Sequence, residues 1–209
     1  ANPCRPDGMC SAVVRSIEIG LLATLVATLL GTLAAFALVR HDFVGRSVAN
    51  TVIFLPMASP EIVMGSSLLA LFVAGGFGGR LGFWTIFIAH VMFCLSFVIV
   101  TVKARLSGLD ENLEQAAMDL YASEWTTFWR VTFPLVFPGI AAAALLSFSL
   151  SFDDFIITNF VSGNVSTFPK FVYVASRRGI PAEANVIGFS MFVIADRKST
   201  RLNSSHSQQ

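Results

Sequence analysis

The stretch "IEIGLLATLVATLLGTLAAFALV", Ile17 to Val39, holds a single charged residue, Glu18, and that residue lies at its edge. A hydrocarbon layer about 30 Å thick is crossed by about 20 consecutive apolar helical residues, so the run reads as a membrane span. Lipid offers no hydrogen bonds to the backbone, which leaves a helix as the form such a run takes. Gly20, Thr24, Thr28, Gly31 and Ala35 recur every three or four residues along it. Small side chains on one stripe let neighbouring helices approach closely in a membrane.

The rest of the chain agrees. Hydrophobic residues make up 55% and charged residues 13%, against about a quarter charged in soluble domains. The mean hydropathy is +0.71, and 20 phenylalanines are too many for one soluble core. A net charge of +1 gives no clustered basic face for nucleic acid. Cys4, Cys10 and Cys94 lack metal-ligand spacing, so no metal site is expected. Cys94 lies in an apolar run and reads as packing. Cys4 and Cys10 would pair only if they face an oxidising compartment.

Outward from the first span, "RHDFVGR" (Arg40 to Arg46) is a short polar turn. A second apolar stretch, Ser47 to about Ala74, is interrupted by Pro56, Pro60 and Glu61. Proline removes a backbone donor and kinks a helix, so this span is expected to be broken. "GGFGGR", Gly75 to Arg80, is a tight turn. The third span, Leu81 to Val102, carries His90, read as a packing residue; the fourth, Val131 to Phe152, ends in Asp153 and Asp154. A fifth begins near Asn185 and runs to Ala195. The fold class is therefore all-α, a polytopic transmembrane helical bundle. Basic residues do not orient it: Arg40, Arg46, Lys103, Arg105 and Arg130 on one side face Arg5, Arg15, Arg80, Lys170, Arg177 and Arg178 on the other.

Both ends stand apart. "ANPCRPDGMC" has no initiator Met, basic n-region or h-region, so it is not a signal peptide. The string from Asp196 to His206 resembles a sequencing adapter translated in frame. Three parts are expected: a poorly defined segment 1–15, a transmembrane domain 16–195 with a polar loop at about 107–131, and a non-native tail 196–209. The chain reads as a fragment truncated at both ends.

The polar loop has helical periodicity, with Leu113, Ala116, Ala117, Leu120 and Phe128 near one face. Asp110 can cap its start. A turn near Tyr121 to Ser123 leads to a second piece, Glu124 to Val131, and Pro134 begins the next span. Such a helix pair lies on a lipid surface or docks into the groove of a soluble partner.

"EQAAMDLYASEWTTFWRVTFPLVFPGI" resembles the EAA loop of ABC importer permeases of the binding-protein-dependent type. Gln115, Ala116 and Ala117 hold the Glu-Ala-Ala places, Tyr121 the Gly place, and Pro134 the Pro. Gln replaces the acid, although Glu114 is adjacent. Tyr replaces Gly, so the turn uses a residue for which positive φ is costly. The resemblance implies a cytoplasmic coupling helix seated on an ATPase subunit, with Glu114, Gln115, Ala116, Ala117, Asp119, Tyr121 and Pro134 as its docking residues. A second block resembles permeases of spermidine/putrescine transporters, specifically the second of their two permease subunits. There Ser147, Phe148, Leu150, Ser151, Asp153, Asp154, Phe160, Val161, Gly163, Pro169, Tyr173, Arg178, Pro181, Glu183 and Asn185 fit the pattern.

Carboxylates at membrane depth usually face a cavity or a partner. A polyamine, a chain of ammonium groups separated by methylenes, is held by acids and aromatic faces. Asp153, Asp154, Phe155 and Glu61 are the candidate path residues. The plain alternatives are that the aspartates cap a helix end or pair with Arg177 or Arg178, and that Glu61 sits at the start of a restarted helix. Lys170, Arg177 and Arg178 are candidate contacts for a solute-binding protein, or solvated charges.

No Gly-x-x-x-x-Gly-Lys-Ser/Thr loop is present, and no nucleophile pairs with a base, so this chain is not expected to be a catalyst. It is expected to carry no cofactor; ATP and Mg would be bound by the partner ATPase. The resemblance implies a multi-pass protein of the bacterial inner membrane, working with an ATPase subunit, a second permease and a periplasmic or extracellular binding protein. The alternatives are a permease for ferric iron, phosphate or an organosulfonate, and an ATP-independent secondary transporter or membrane scaffold.

Overall fold

The computed structural model describes residues 8–77, 80–110, 112–178 and 189. Among them the chain forms nine α-helices: α1 (Met9–Arg40), α2 (Arg46–Ala58), α3 (Glu61–Phe72), α4 (Phe83–Ser107), α5 (Asn112–Asp119), α6 (Glu124–Thr127), α7 (Phe133–Asp153), α8 (Ile156–Val161) and α9 (Phe168–Arg178).

Among the described residues, three units are long and apolar enough to cross a membrane: α1, α4 and the continuous run Glu124–Asp153. A fourth exists if the bent pair of α2 and α3 is counted as one span. α1 has 32 residues; at 1.5 Å per residue it is roughly 48 Å long, more than lipid alone requires. It begins at Met9 rather than at Ser16, because Met9 to Val14 continues its apolar pattern.

The core is a triangle of α1, α4 and α7. Of the small-residue stripe, Gly20, Gly31 and Ala35 are buried and Thr24 and Thr28 half-buried, while Ala23 and Ala27 beside them complete the inward face. A Cβ on Gly31 would lie 2.6 Å from Val98 Cγ1 of α4, so α1 and α4 meet there at backbone distance. Ile19, Phe93, Val98, Val102, Val136 and Ala143 fill the space between. The outer face of α1 exposes Leu25, Leu29 and Leu33, as a lipid-facing helix does.

The second apolar stretch breaks where its prolines predicted. α2 carries Pro56 inside it, Pro60 starts α3, and the two helices meet at 107°. α3 then packs on α8, where Gly65 leaves room for the Phe160 ring: a Cβ would come within 2.7 Å. Lys103 Nζ donates to Asn50 Oδ1 (2.6 Å), tying α4 to α2.

One sequence expectation is corrected. Glu124 to Val131 is not a separate surface helix, because it runs on into α7. Phe133 N–H donates to Phe128 O, five residues back, so the ladder widens by one residue just before Pro134. Pro134 follows directly on that widened turn, as the second residue of α7. The helix that carries the fourth span therefore starts at Glu124, not Val131. The expected fifth span and the tail 196–209 lie outside the described residues, save Phe189.

Candidate functional site

Two sites emerge, one at the end of α7 and one at the polar loop.

At the first, Glu61, Phe93, Leu150, Asp153, Asp154, Phe155 and Ile156 line one cleft of about 430 Å³. All four residues singled out as path candidates are thus brought together. The break after Pro60 delivers Glu61 to it, at the start of α3. The end of α7 at Asp153 and the restart of the helix at Ile156 deliver the rest. Glu61 and Asp153 are exposed. Asp153 also lines a second cleft of about 440 Å³ with Phe152, Phe168, Pro169, Val172, Tyr173 and Ser176. Aromatic rings meet there: Phe152 stacks on Phe168 at 6.0 Å, and Phe155 and Tyr173 lie tilted to each other at 4.5 Å.

Asp154 behaves differently from Asp153. Its side chain is 4% exposed. Oδ1 accepts from Ile157 N–H (3.3 Å) and Oδ2 from Thr158 N–H (2.8 Å), so the carboxylate caps α8. His90 Nε2 lies 3.3 Å from Oδ2. The helix-cap alternative therefore describes Asp154, which forms the cleft wall from within. Neither aspartate has an ion pair with Arg177 among the described residues.

At the second site, Asp110 Oδ1 accepts from Asn112 N–H (3.0 Å) and starts α5. Gln115, Ala116 and Asp119 are exposed, Ala117 is half-buried and Pro134 is exposed. Tyr121 closes α5 at φ +62°, the left-handed conformation its glycine-like place anticipates. Its side chain is fully exposed, and Leu120 and Trp125 are exposed beside it. Glu114 is half-buried and turns toward Arg40 and Thr132 of its own chain. Both terminal guanidinium nitrogens of Arg40 donate to its two oxygens, and Thr132 Oγ1 donates to Oε1 (2.6 Å). The Arg40 hydrogen bonds, opposed by desolvation and helped by Thr132, hold its carboxyl below the usual range.

The basic residues divide. Lys170 Nζ donates to Ser162 Oγ (2.6 Å), Gly163 O (2.9 Å) and Val165 O (3.3 Å), so it staples the turn after α8. Burial lowers its pKa. Arg177 is exposed, donates to the Tyr173 hydroxyl (2.7 Å) and lies 5.2 Å from that ring's centre. The Arg178 side chain lies outside the described residues. Among the described residues no group of three or more His, Cys, Asp or Glu could hold a metal ion.

Sequence reasoning read His90 as a satisfied packing residue but did not name its partners. Nδ1 is 2.7 Å from Ser151 Oγ and Nε2 is 2.9 Å from Thr158 Oγ1. A lone histidine in an apolar span was the available signal.

Residues 27–195 match the family described as binding-protein-dependent transport system inner membrane component. The chain is 39% identical over 190 residues to the spermidine/putrescine transport system permease protein PotC of Haemophilus influenzae, covering 90% of this chain and 73% of that protein. It is 41% identical over 189 residues to the putrescine transport system permease protein PotI of Escherichia coli, covering 88% and 67%. Among solved structures, an amino acid ABC transporter described with histidines aligns with a TM-score of 0.69 at 15% identity, over 93% of this chain and 90% of that one. At that identity the likeness concerns the fold.

Proposed function

The chain belongs to the family of binding-protein-dependent transport system inner membrane components, and from that premise we propose that it is a permease subunit of an ATP-driven polyamine importer. It is a membrane component of the transport system, not its catalyst. The observation that carries the substrate class is the cleft in which the exposed carboxylates of Glu61 and Asp153 stand beside Phe93 and Phe155. Carboxylates pair with ammonium groups, and aromatic faces suit both cations and methylenes. An anionic cargo such as phosphate or an organosulfonate would be repelled there. The relatives named for spermidine and putrescine point to the same chemistry.

In this reading Asp153 and Glu61 contact the substrate, and Asp154 shapes the wall through α8. The ATPase subunit, which binds ATP and Mg, seats on α5 through Gln115, Ala116, Ala117, Asp119 and Tyr121. A second permease completes the path, and a solute-binding protein delivers the substrate, with exposed Arg177 available to an acidic face. The setting is the bacterial inner membrane.

The test is uptake of labelled spermidine and putrescine by vesicles holding the full-length subunit, its permease partner and its ATPase, with binding protein added. ATP-dependent uptake, weakened in Asp153→Asn, is the expected result. Uptake of another solute but of no polyamine would refute the substrate. Uptake indifferent to ATP would refute the importer.

A further inference from the structure

α5 has no buried residue, so apolar packing does not hold it to the bundle. The chain connects it to α4 on one side and to α6 and α7 on the other. Nothing in the chain connects it to α1, whose last residue, Arg40, lies 74 positions before Glu114. Yet α1 is the helix against which both α4 and α7 pack. Among the described residues, every hydrogen bond from α5 to α1 runs between Glu114 and Arg40.

The geometry suits a joint. The guanidinium presents two parallel donors to one carboxylate, the arrangement that fixes orientation as well as distance. Arg40 occupies the last turn of α1, where the helix dipole favours a cation. Thr132 Oγ1 holds the same carboxylate from the widened turn that leads into α7. One side chain of α5 is thus fastened to two membrane spans at once. Around it lies a cavity of about 280 Å³ lined partly by Phe36, Met118, Glu124 and Phe128. Packing is loose there, and polar bonds carry the connection.

We propose that Glu114 is a positioning residue that transmits movement of α5 to α1 and α7 through Arg40 and Thr132, rather than a residue of the ATPase-docking surface. This rests on the importer reading above. A displacement of α5 by the ATPase would otherwise reach α4 and α7 through the chain, and α1 only through their packing against it. With the pair closed, α1 moves with them, and the clefts at the far end of α7 change shape as a unit.

The experiment uses the full-length subunit with its partner permease, ATPase and binding protein in vesicles. Uptake and ATP hydrolysis are measured together for wild type, Glu114→Gln, Arg40→Gln and the exchanged pair Arg40→Glu/Glu114→Arg. Each single variant is expected to retain co-purifying ATPase and ATP hydrolysis, while substrate moved per ATP falls about tenfold, within the usual range of site-to-site coupling. The exchanged pair is expected to recover most of that loss. A second measurement stands apart from folding of the charge variants. Arg40→Cys/Glu114→Cys, joined by a short bifunctional thiol reagent, should transport, because the joint stays closed through the cycle. Unchanged substrate per ATP in the singles, loss of ATPase association in them, an exchanged pair no better than the singles, or transport blocked by the cross-link would each overturn the proposal. Absence of ATP-dependent uptake in wild type would instead remove the importer reading.

Discussion

His90 and Asp154 meet at 3.3 Å between Nε2 and Oδ2, both side chains all but fully buried. The contact joins the middle of α4 to the chain break between α7 and α8. Ser151 and Thr158 complete it from either side of that break. Removing one member of a buried polar set leaves the others unsatisfied, at about 1–3 kcal/mol. His90→Ala is therefore expected to lower the stability of the detergent-purified subunit by that amount. His90→Gln, which keeps one donor and one acceptor, should lose less. Equal losses in thermal unfolding would show that the ring's volume matters and its hydrogen bonds do not.

The neighbouring aspartates should separate by phenotype. Asp154→Ala removes the cap of α8 and an acceptor for His90, and is expected to destabilise the subunit by about 1–3 kcal/mol. Asp153 is exposed and lines both clefts. Asp153→Asn should leave unfolding unchanged and raise the KM for polyamine uptake several-fold. If the two variants exchange these behaviours, the division of roles is wrong.

The sequence announced much of this arrangement. The broken second span was legible from Pro56 and Pro60, because proline acts through its own missing N–H and its own ring. The acidic cleft was legible in part, since carboxylates in apolar runs are few and Glu61, Asp153, Asp154 and Phe155 do converge. Which carboxylate turns inward was not legible: Asp153 and Asp154 are identical in kind, and the choice depends on where α4 places His90. The bonds that Glu114 and Lys170 make within the chain were not legible for the same reason. Their partners, Arg40 and the turn after α8, become neighbours only when the helices pack. The start of the last described span was missed because a five-residue hydrogen bond at Phe133 lets the helix pass Pro134.

The close approach of α1 and α4 makes its own prediction. A Cβ at Gly31 would come within 2.6 Å of Val98 Cγ1 and 2.8 Å of its Cβ. Gly31→Ala is expected to cost about 1–3 kcal/mol through forced separation of the helices. Adding Val98→Ala should recover part of the loss. Gly108→Ala is the control, since a Cβ there meets nothing nearer than 3.6 Å. A Gly31→Ala variant as stable as the Gly108→Ala variant would mean the helices are not in backbone contact.

The Glu114 anchor also sets a pH window. Arg40, with help from Thr132, lowers the pKa of this carboxyl against the opposing effect of burial. Its folded value lies below the unfolded one, so the anchor contributes fully above the ordinary glutamate value of about 4.3. It is lost as pH falls through the depressed value. Amide exchange in 112–119 should therefore hold a constant protection from neutral pH down to about pH 5, after correction for intrinsic rates, and open only in stronger acid. Opening near neutrality would mean that some other group holds α5.

Tyr121 offers the sharpest separation of folding from function. Its backbone stands at φ +62°, a conformation that costs an L-residue with a Cβ about 1–2 kcal/mol. Its ring is fully exposed and so returns nothing to the subunit. The conformation serves to close α5, with Ala122 N–H donating to Ala117 O (3.2 Å), so a role for the exposed ring would lie in a contact outside the chain. Tyr121→Gly removes the strain, partly offset by about 0.5–1 kcal/mol of glycine entropy. It should leave the isolated subunit as stable as wild type or slightly more so, and weaken ATPase association several-fold. Tyr121→Ala keeps the strain and loses the ring, so it should weaken association alike without any gain in stability. If both variants bind the ATPase as wild type does, the ring is not an anchor, and α5 is seated through Gln115, Ala116 and Asp119 alone.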